Sequence, residues 1–244
     1  SERDVAVAHA TYCGEVTMVD SWVGRLLEKI ELVGIADETL VVFASDHGFY
    51  FGEHGYLGKS VWVEEARTQT WSPLYGELTR IPLVVRMPGL RPGRASALTT
   101  AADLAPTLLE LAGLPPLANA TGRSFADVLA RERDDARPFV ISSWPLGYQK
   151  GRISVAVDSW PRTIARDLPL TVTSRTHSLI VGGPDDPVQL YDLTGDPAEL
   201  NDVATEYAAL AGELLEGAIE ELRREGAADE LLRPREEALQ NQLS

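Results

Sequence analysis

The chain has 244 residues, 44% of them apolar and 24% charged, and a net charge of −15; this is a globular composition sized for one large domain or a core plus a small second one. That acidity, with no basic stripe or aromatic-interleaved basic patch, excludes nucleic acid as a partner, and no apolar run approaches a membrane span, so no membrane partner is expected. A single cysteine, Cys13, excludes an internal disulfide framework and leaves the compartment open.

The opening Ser1-Glu-Arg-Asp-Val lacks the apolar core and cleavage pattern of a signal peptide. From about Val7 to Ile30, Val16, Val19, Val23, Leu26, Leu27 and Ile30 recur at three and four, with Asp20, Arg25 and Glu28 opposite. This spacing predicts an amphipathic helix packed on a sheet, with Cys13 a small buried core residue inside it. Gly34 and Asp37 lead to Thr39-Leu-Val-Val-Phe-Ala, whose apolar, β-branched run predicts a buried strand of a parallel sheet. Helix, short loop and strand make half of a βαβ unit.

That strand ends in Ser45-Asp46-His47-Gly48, and Gly52-Glu53-His54-Gly55 and Gly58-Lys59 follow. In open α/β sheets ligands bind outside the carboxyl ends of the strands. Acid, imidazole and ammonium around one strand end point to a metal-assisted site for an anionic substrate. Read singly, each has a plainer role: Asp46 in an Asx-turn, His47 as a hydrogen-bonded partner, Lys59 as a solvated lysine. Lys59 is one of three lysines, with Lys29 and Lys150. Because the chain repels anions at long range, binding one needs locally focused positive charge, from a cation and Lys59.

Ser60 to Leu74, carrying Trp62, Trp71 and Pro73, reads either as a lid or substrate wall or as a loop packed on the domain. Pro82-Leu-Val-Val-Arg-Met-Pro88-Gly89 reads as a short strand closed by a turn. Ala101 to Gly113 reads as a helix, with Asp103 its N-cap rather than a catalytic acid. Beyond Leu117, segments 139–142, 154–157, 170–173 and 178–181 predict a small antiparallel sheet. The acids of Leu190 to Val203 lack the EF-hand spacing and read as turn and cap chemistry. Tyr207 to about Glu225 predicts an acidic helix with Leu210, Leu214, Leu215, Ile219 and Leu222 on one face. The remainder reads as frayed or used for contacts outside this chain.

Ser45-Asp-His-Gly-x3-Gly-Glu-His-Gly-x2-Gly-Lys59 resembles the second signature region of the sulfatase family, within the alkaline phosphatase superfamily. Tyr75-Gly-Glu77-Leu-Thr-Arg80-Ile-Pro82-Leu-Val-Val, Asp103-Leu-Ala-Pro-Thr-Leu-Leu-Glu-Leu-Ala-Gly113 and Leu190-Tyr-Asp192-Leu-Thr-Gly-Asp196-Pro197-Ala-Glu199 are similar to further family segments. The 60–74 insertion is a departure, since in the family the tyrosine follows the lysine within a few residues. The resemblance implies an α/β fold: the C-terminal part of an alkaline-phosphatase-like sheet flanked by helices over residues 1–117, and a small antiparallel-sheet α+β subdomain over 118–244. It implies that Asp46 and His47 bind a divalent cation. Ca²⁺ is the family norm; imidazole better suits Mn²⁺, Zn²⁺ or Fe²⁺, and Mg²⁺ is a further alternative. Lys59 would contact the sulfate and protonate the leaving oxygen, and His54 would contact substrate or support the site.

The resemblance also implies what this stretch lacks. A sulfatase attacks with formylglycine, made from cysteine in Cys-x-Pro/Ala-x-Arg, whereas Cys13 is followed by Gly-Glu-Val-Thr. The nucleophile and the paired aspartates that complete the cation shell are expected upstream, in the missing N-terminal half of the same domain, and this segment alone is expected to be inactive. The implied activity is hydrolysis of a small-molecule or glycan sulfate ester. The alternatives are a phosphonate monoester or phosphodiester hydrolase of the same superfamily, and a degenerate, non-catalytic binding domain.

Overall fold

Helix α1 runs from Glu2 to Leu32, with Glu2 and Asp4 in its first turn and Lys29 in its last, matching the helix dipole. A computed structural model describes residues 1–63, 68–131, 137–144, 169–182 and 186–243, with the side chains of 60–71, 230 and 243 outside that set. The predicted helix is present, but it does not lie on a sheet along its length, and none of its residues is buried. Val16, Trp22 and Leu26 stay exposed. Contact is made near its start, where the rings of His9 and Tyr12 meet Phe51 at 5.8 and 4.6 Å. Cys13 is exposed, not a core residue.

Strand β1, Val41–Ala44, forms where the apolar run predicts. It pairs antiparallel with β6, Leu83–Arg86, in the register Val41↔Arg86 to Ala44↔Leu83, so the expected parallel, buried strand is corrected on both counts. A run apolar at every position calls for cover on both faces. Among the described residues Phe43 and Val84 instead stand exposed. Between these strands lie two hairpins: β2, Tyr50–Phe51, with β3, Leu57–Gly58, and β4, Ser60–Val63, with β5, Thr68–Trp71. The insertion is therefore a hairpin; the side chains of Trp62 and Trp71 lie outside the described residues. The short helix α2, Gly76–Thr79, follows.

Asp103, ahead of α3 (Leu104–Leu111), is buried, and its side chain does not cap that helix as the sequence predicts but reaches back to Thr100 and across to other segments. Its carboxylate accepts the Thr100 and Arg123 backbone N–H groups, each at 2.7 Å, and the Arg137 guanidinium at 2.6 Å. It thereby ties the region of α4, Ala126–Ala130, to the start of α3.

Four strands then form an antiparallel meander in the order β10-β9-β8-β7: β7 Phe139–Ser143, β8 Leu170–Ser174, β9 His177–Val181 and β10 Gln189–Asp192. The predicted strand at 154–157 lies outside the described residues, while β10 comes from a stretch that reads as turn chemistry. Side chains alternate between the sheet's faces. Leu170, Val172, Leu179, Val181 and Leu190 pack with Leu214, Leu215 and Ile219 of α5, Ala208–Arg224. The opposite face carries Thr171, Ser178, Ile180 and Tyr191, and Ile180 and Tyr191 pack with Tyr50, Leu74, Tyr75, Leu78 and Trp144. The C-terminal remainder is not frayed: it is helix α6, Asp229–Leu243, with Leu232 and Ala238 buried in the core of α5 and the sheet. Leu232 and, seven residues on, the partly buried Leu239 lie on one face with Ala238 beside them, and their burial holds a terminus that looks polar overall. No described helix is long and apolar enough to cross a membrane.

Candidate active site

The end of β1 turns sharply because its polar side chains bond to its own backbone. Ser45 Oγ donates to the His47 carbonyl at 2.9 Å, and Asp46 Oδ1 accepts the His47 N–H at 2.9 Å. That N–H holds the Asp46 carboxyl below its usual range. Its other oxygen, Oδ2, lies 3.5 Å from His47 Nε2. His47 Nδ1 sits 2.8 Å from the Gly48 carbonyl. A carbonyl only accepts, so Nδ1 carries the proton and Nε2 presents a lone pair. Lys59 Nζ donates to that Nε2 at 2.7 Å. Carboxylate oxygen, imidazole nitrogen and ammonium thus meet at the end of β1. Beside them a cavity of about 500 Å³ is lined by Tyr12, Glu15, Ser45, His47, Phe49 and Phe51, among others.

One segment, residues 72–78, holds both loops that carry these groups. The buried Ser72 hydroxyl donates to the Lys59 carbonyl at 3.2 Å. The Tyr50 hydroxyl donates to the Pro73 carbonyl at 2.6 Å and accepts the Tyr75 N–H at 3.1 Å. The Gly48 N–H donates to the Leu78 carbonyl at 3.0 Å. A Cβ at Gly48 would run into the Glu77 carbonyl oxygen, so glycine is required by close approach.

His54 is placed differently. It is largely buried, at a backbone φ of 53°, stacked on the Tyr75 ring at 3.7 Å, with its Nε2 3.4 Å from Glu77 Oε2. It is not among the residues lining the cavity beside His47.

Residues 3–114 match the sulfatase family profile, and a Bacteroides thetaiotaomicron N-acetylglucosamine-6-O-sulfatase is 30% identical over 210 residues, 84% of this chain. Over residues 3–114 the chain belongs to the sulfatase family. It spans 34% of that relative's length. The sulfatase-like fold is equally clear in solved structures. One, captured in complex with its substrate D-glucosamine-2-N,6-O-disulfate, is 28% identical with a TM-score of 0.62 over 86% of this chain and 39% of its own. The phosphonate monoester hydrolase of Agrobacterium radiobacter is 25% identical with a TM-score of 0.69, over 92% and 43%.

Asp46 and His47 offer a divalent cation only a partial set of donors. Asp46 Oδ2 and His47 Nε2 lie 3.5 Å apart, and the Nδ1–H bond to Gly48 leaves the lone pair on Nε2, where a cation would take the place of the Lys59 Nζ contact. Among the described residues no third His, Cys, Asp or Glu joins them. Sequence reasoning gave no role to Glu77, Ser72 or Tyr50, and read Glu199 only as turn or cap chemistry. Glu77 and Glu199 stand in family-like segments, which was the available signal, but their partners lie far off in the chain.

Proposed function

We propose that this chain supplies the cation-binding and leaving-group side of a sulfuric ester hydrolase. The observation that carries the reading is the convergence of Asp46 Oδ2, His47 Nε2 and Lys59 Nζ at one strand end, with Lys59 Nζ 2.7 Å from His47 Nε2. Asp46 and His47 would hold a divalent cation, which supplies charge neutralisation on the transferred group. Ca²⁺ is the family norm, and the imidazole favours Mn²⁺, Zn²⁺ or Fe²⁺, with Mg²⁺ a further candidate. Lys59 keeps its ammonium at the mouth of the site and gives a proton to the departing alkoxide oxygen. The attacking group and the other cation ligands come from residues outside these 244, in the N-terminal half of the same domain, so this segment alone does not turn over. The catalytic part ends near residue 117, and 118–244 form the small subdomain.

The substrate class is a small-molecule or glycan sulfate ester, supported by the relative solved with a sulfated glucosamine. The likeness to a phosphonate monoester hydrolase favours a second reading, a phosphonate or phosphodiester hydrolase with the same residues in the same roles. Turnover of an aryl sulfate and an aryl phosphonate monoester by the complete, metal-loaded enzyme bearing this segment separates them. Preference for the sulfate supports the first reading, and preference for the phosphonate replaces it with the second. Turnover of neither leaves a degenerate binding domain.

A further inference from the structure

We infer that Glu199 is a positioning residue for the proposed site, through which the C-terminal sheet fixes the loop carrying His47; this rests on the reading of Asp46, His47 and Lys59 given above. Glu199 lies in the Asp196-Pro-Ala-Glu turn that follows β10, and it is almost fully buried. Its backbone φ is 54°, in the left-handed region that non-glycine residues seldom occupy. A strained backbone persists where its surroundings over-determine it, and here the side chain shows the reason. One carboxylate oxygen accepts the N–H of Gly76, the first residue of α2, and the Ser178 hydroxyl of β9 holds the carboxylate as well.

From Gly76 the connection to the site is short. Two residues on, the Leu78 carbonyl takes the Gly48 N–H at 3.0 Å, and the Gly48 carbonyl takes His47 Nδ1 at 2.8 Å. The path therefore runs from Glu199 through α2 to the imidazole, with each link a hydrogen bond or a single helical turn. Other ties bind the same segment to the sheet: Thr171 Oγ1 donates to the Leu74 carbonyl at 2.9 Å, and the Tyr75 hydroxyl to Gln189 Oε1 at 3.1 Å. Trp144 Nε1 donates to the Ser72 carbonyl at 2.9 Å, and Ser72 in turn holds Lys59. Among these ties Glu199 is the one whose side chain holds both α2, through the Gly76 N–H, and β9, through the Ser178 hydroxyl.

The test is residue-resolved hydrogen exchange on the 244-residue chain, comparing wild type with Glu199→Gly and Glu199→Gln. Glycine removes the carboxylate and relieves the left-handed backbone, so the fold is retained. Glutamine keeps an acceptor for Gly76. In Glu199→Gly the Gly48 amide is expected to exchange more than about tenfold faster while the amides of β8 and β9 keep their wild-type protection. In Glu199→Gln, Gly48 stays within about threefold of wild type. Unchanged Gly48 protection in Glu199→Gly overturns the inference. So does an equal loss across β8 and β9, or loss of folding, because either makes Glu199 a general stabiliser. In the complete enzyme, Glu199→Gly should lower kcat at least tenfold with KM within about twofold, and glutamine should restore it. If wild type turns over no ester while the exchange result holds, the hydrolase reading fails and the mechanical link stands.

Discussion

Lys59 and His54 lie five residues apart on neighbouring loops and answer to different physics. Lys59 is exposed, and its ammonium donates to His47 Nε2. Its replacement by alanine should therefore leave the urea midpoint of this chain almost unmoved, within about 0.5 kcal/mol. The same change should lower kcat of the complete enzyme by roughly 10²–10⁴. His54, stacked on Tyr75 and facing Glu77, should behave the other way. His54→Ala is expected to cost about 1–3 kcal/mol in denaturant unfolding, through a lost ring contact and a buried Glu77 oxygen left without its neighbour. Glu199 adds a pH signature. Burial pushes its carboxyl up, Glu77 adds to the rise, and Ser178, the Gly76 N–H and His54 oppose it. A raised folded-state pKa means that the stability it contributes is present below the ordinary carboxylate range and is lost as pH rises through the folded value. Glu199→Gln should thus gain stability relative to wild type as pH rises above the ordinary carboxylate range, and a difference that does not vary with pH would contradict this. Asp46, His47 and Lys59 were legible because fourteen consecutive residues carry all three. The setting of His54 was not, because its partner Glu77 and the stacked Tyr75 arrive from beyond an intervening hairpin.

Among the elements, the 72–78 segment does most to place the site, and it has little regular structure: four residues of helix behind a run of side-chain bonds. Tyr50 bridges it to the site loop with one hydroxyl that both donates and accepts. Tyr50→Phe removes that hydroxyl and strands a buried carbonyl and N–H, so a loss of about 1–3 kcal/mol is expected by chemical denaturation. Gly48→Ala drives a methyl group at the Glu77 carbonyl and should displace the loop, seen as shifted amide resonances at Gly48 and Leu78 with the β8 and β9 resonances unmoved. The positions of α1, β1, α3, β8, β9 and α5 follow from apolar spacing. Pairing direction does not, since an apolar run states how much cover a strand wants and not which neighbour supplies it. β10 hides among turn residues because only Leu190 and Tyr191 in it are buried, one on each face of the sheet.

Across the whole molecule, burial is uneven. The β7–β10 sheet has a helix-covered face and a second face packed on the site-bearing segment, whereas α1 buries none of its residues and β1 and β6 leave Phe43 and Val84 exposed. The chain covers 34% of the length of a relative 30% identical to it, and on the proposed reading the other half of the domain would cover the apolar faces of α1 and β1. Amide exchange in α1 should accordingly slow in the complete enzyme relative to this segment, while β8 and β9 exchange alike in both. The most direct test of the proposed function is kcat/KM of the complete, metal-loaded enzyme for an aryl sulfate, measured for wild type and Lys59→Ala beside an aryl phosphonate monoester. The account predicts that the sulfate is preferred by wild type and that Lys59→Ala loses at least about a hundredfold on it. Preference for the phosphonate, or full sulfate turnover without Lys59, would contradict it.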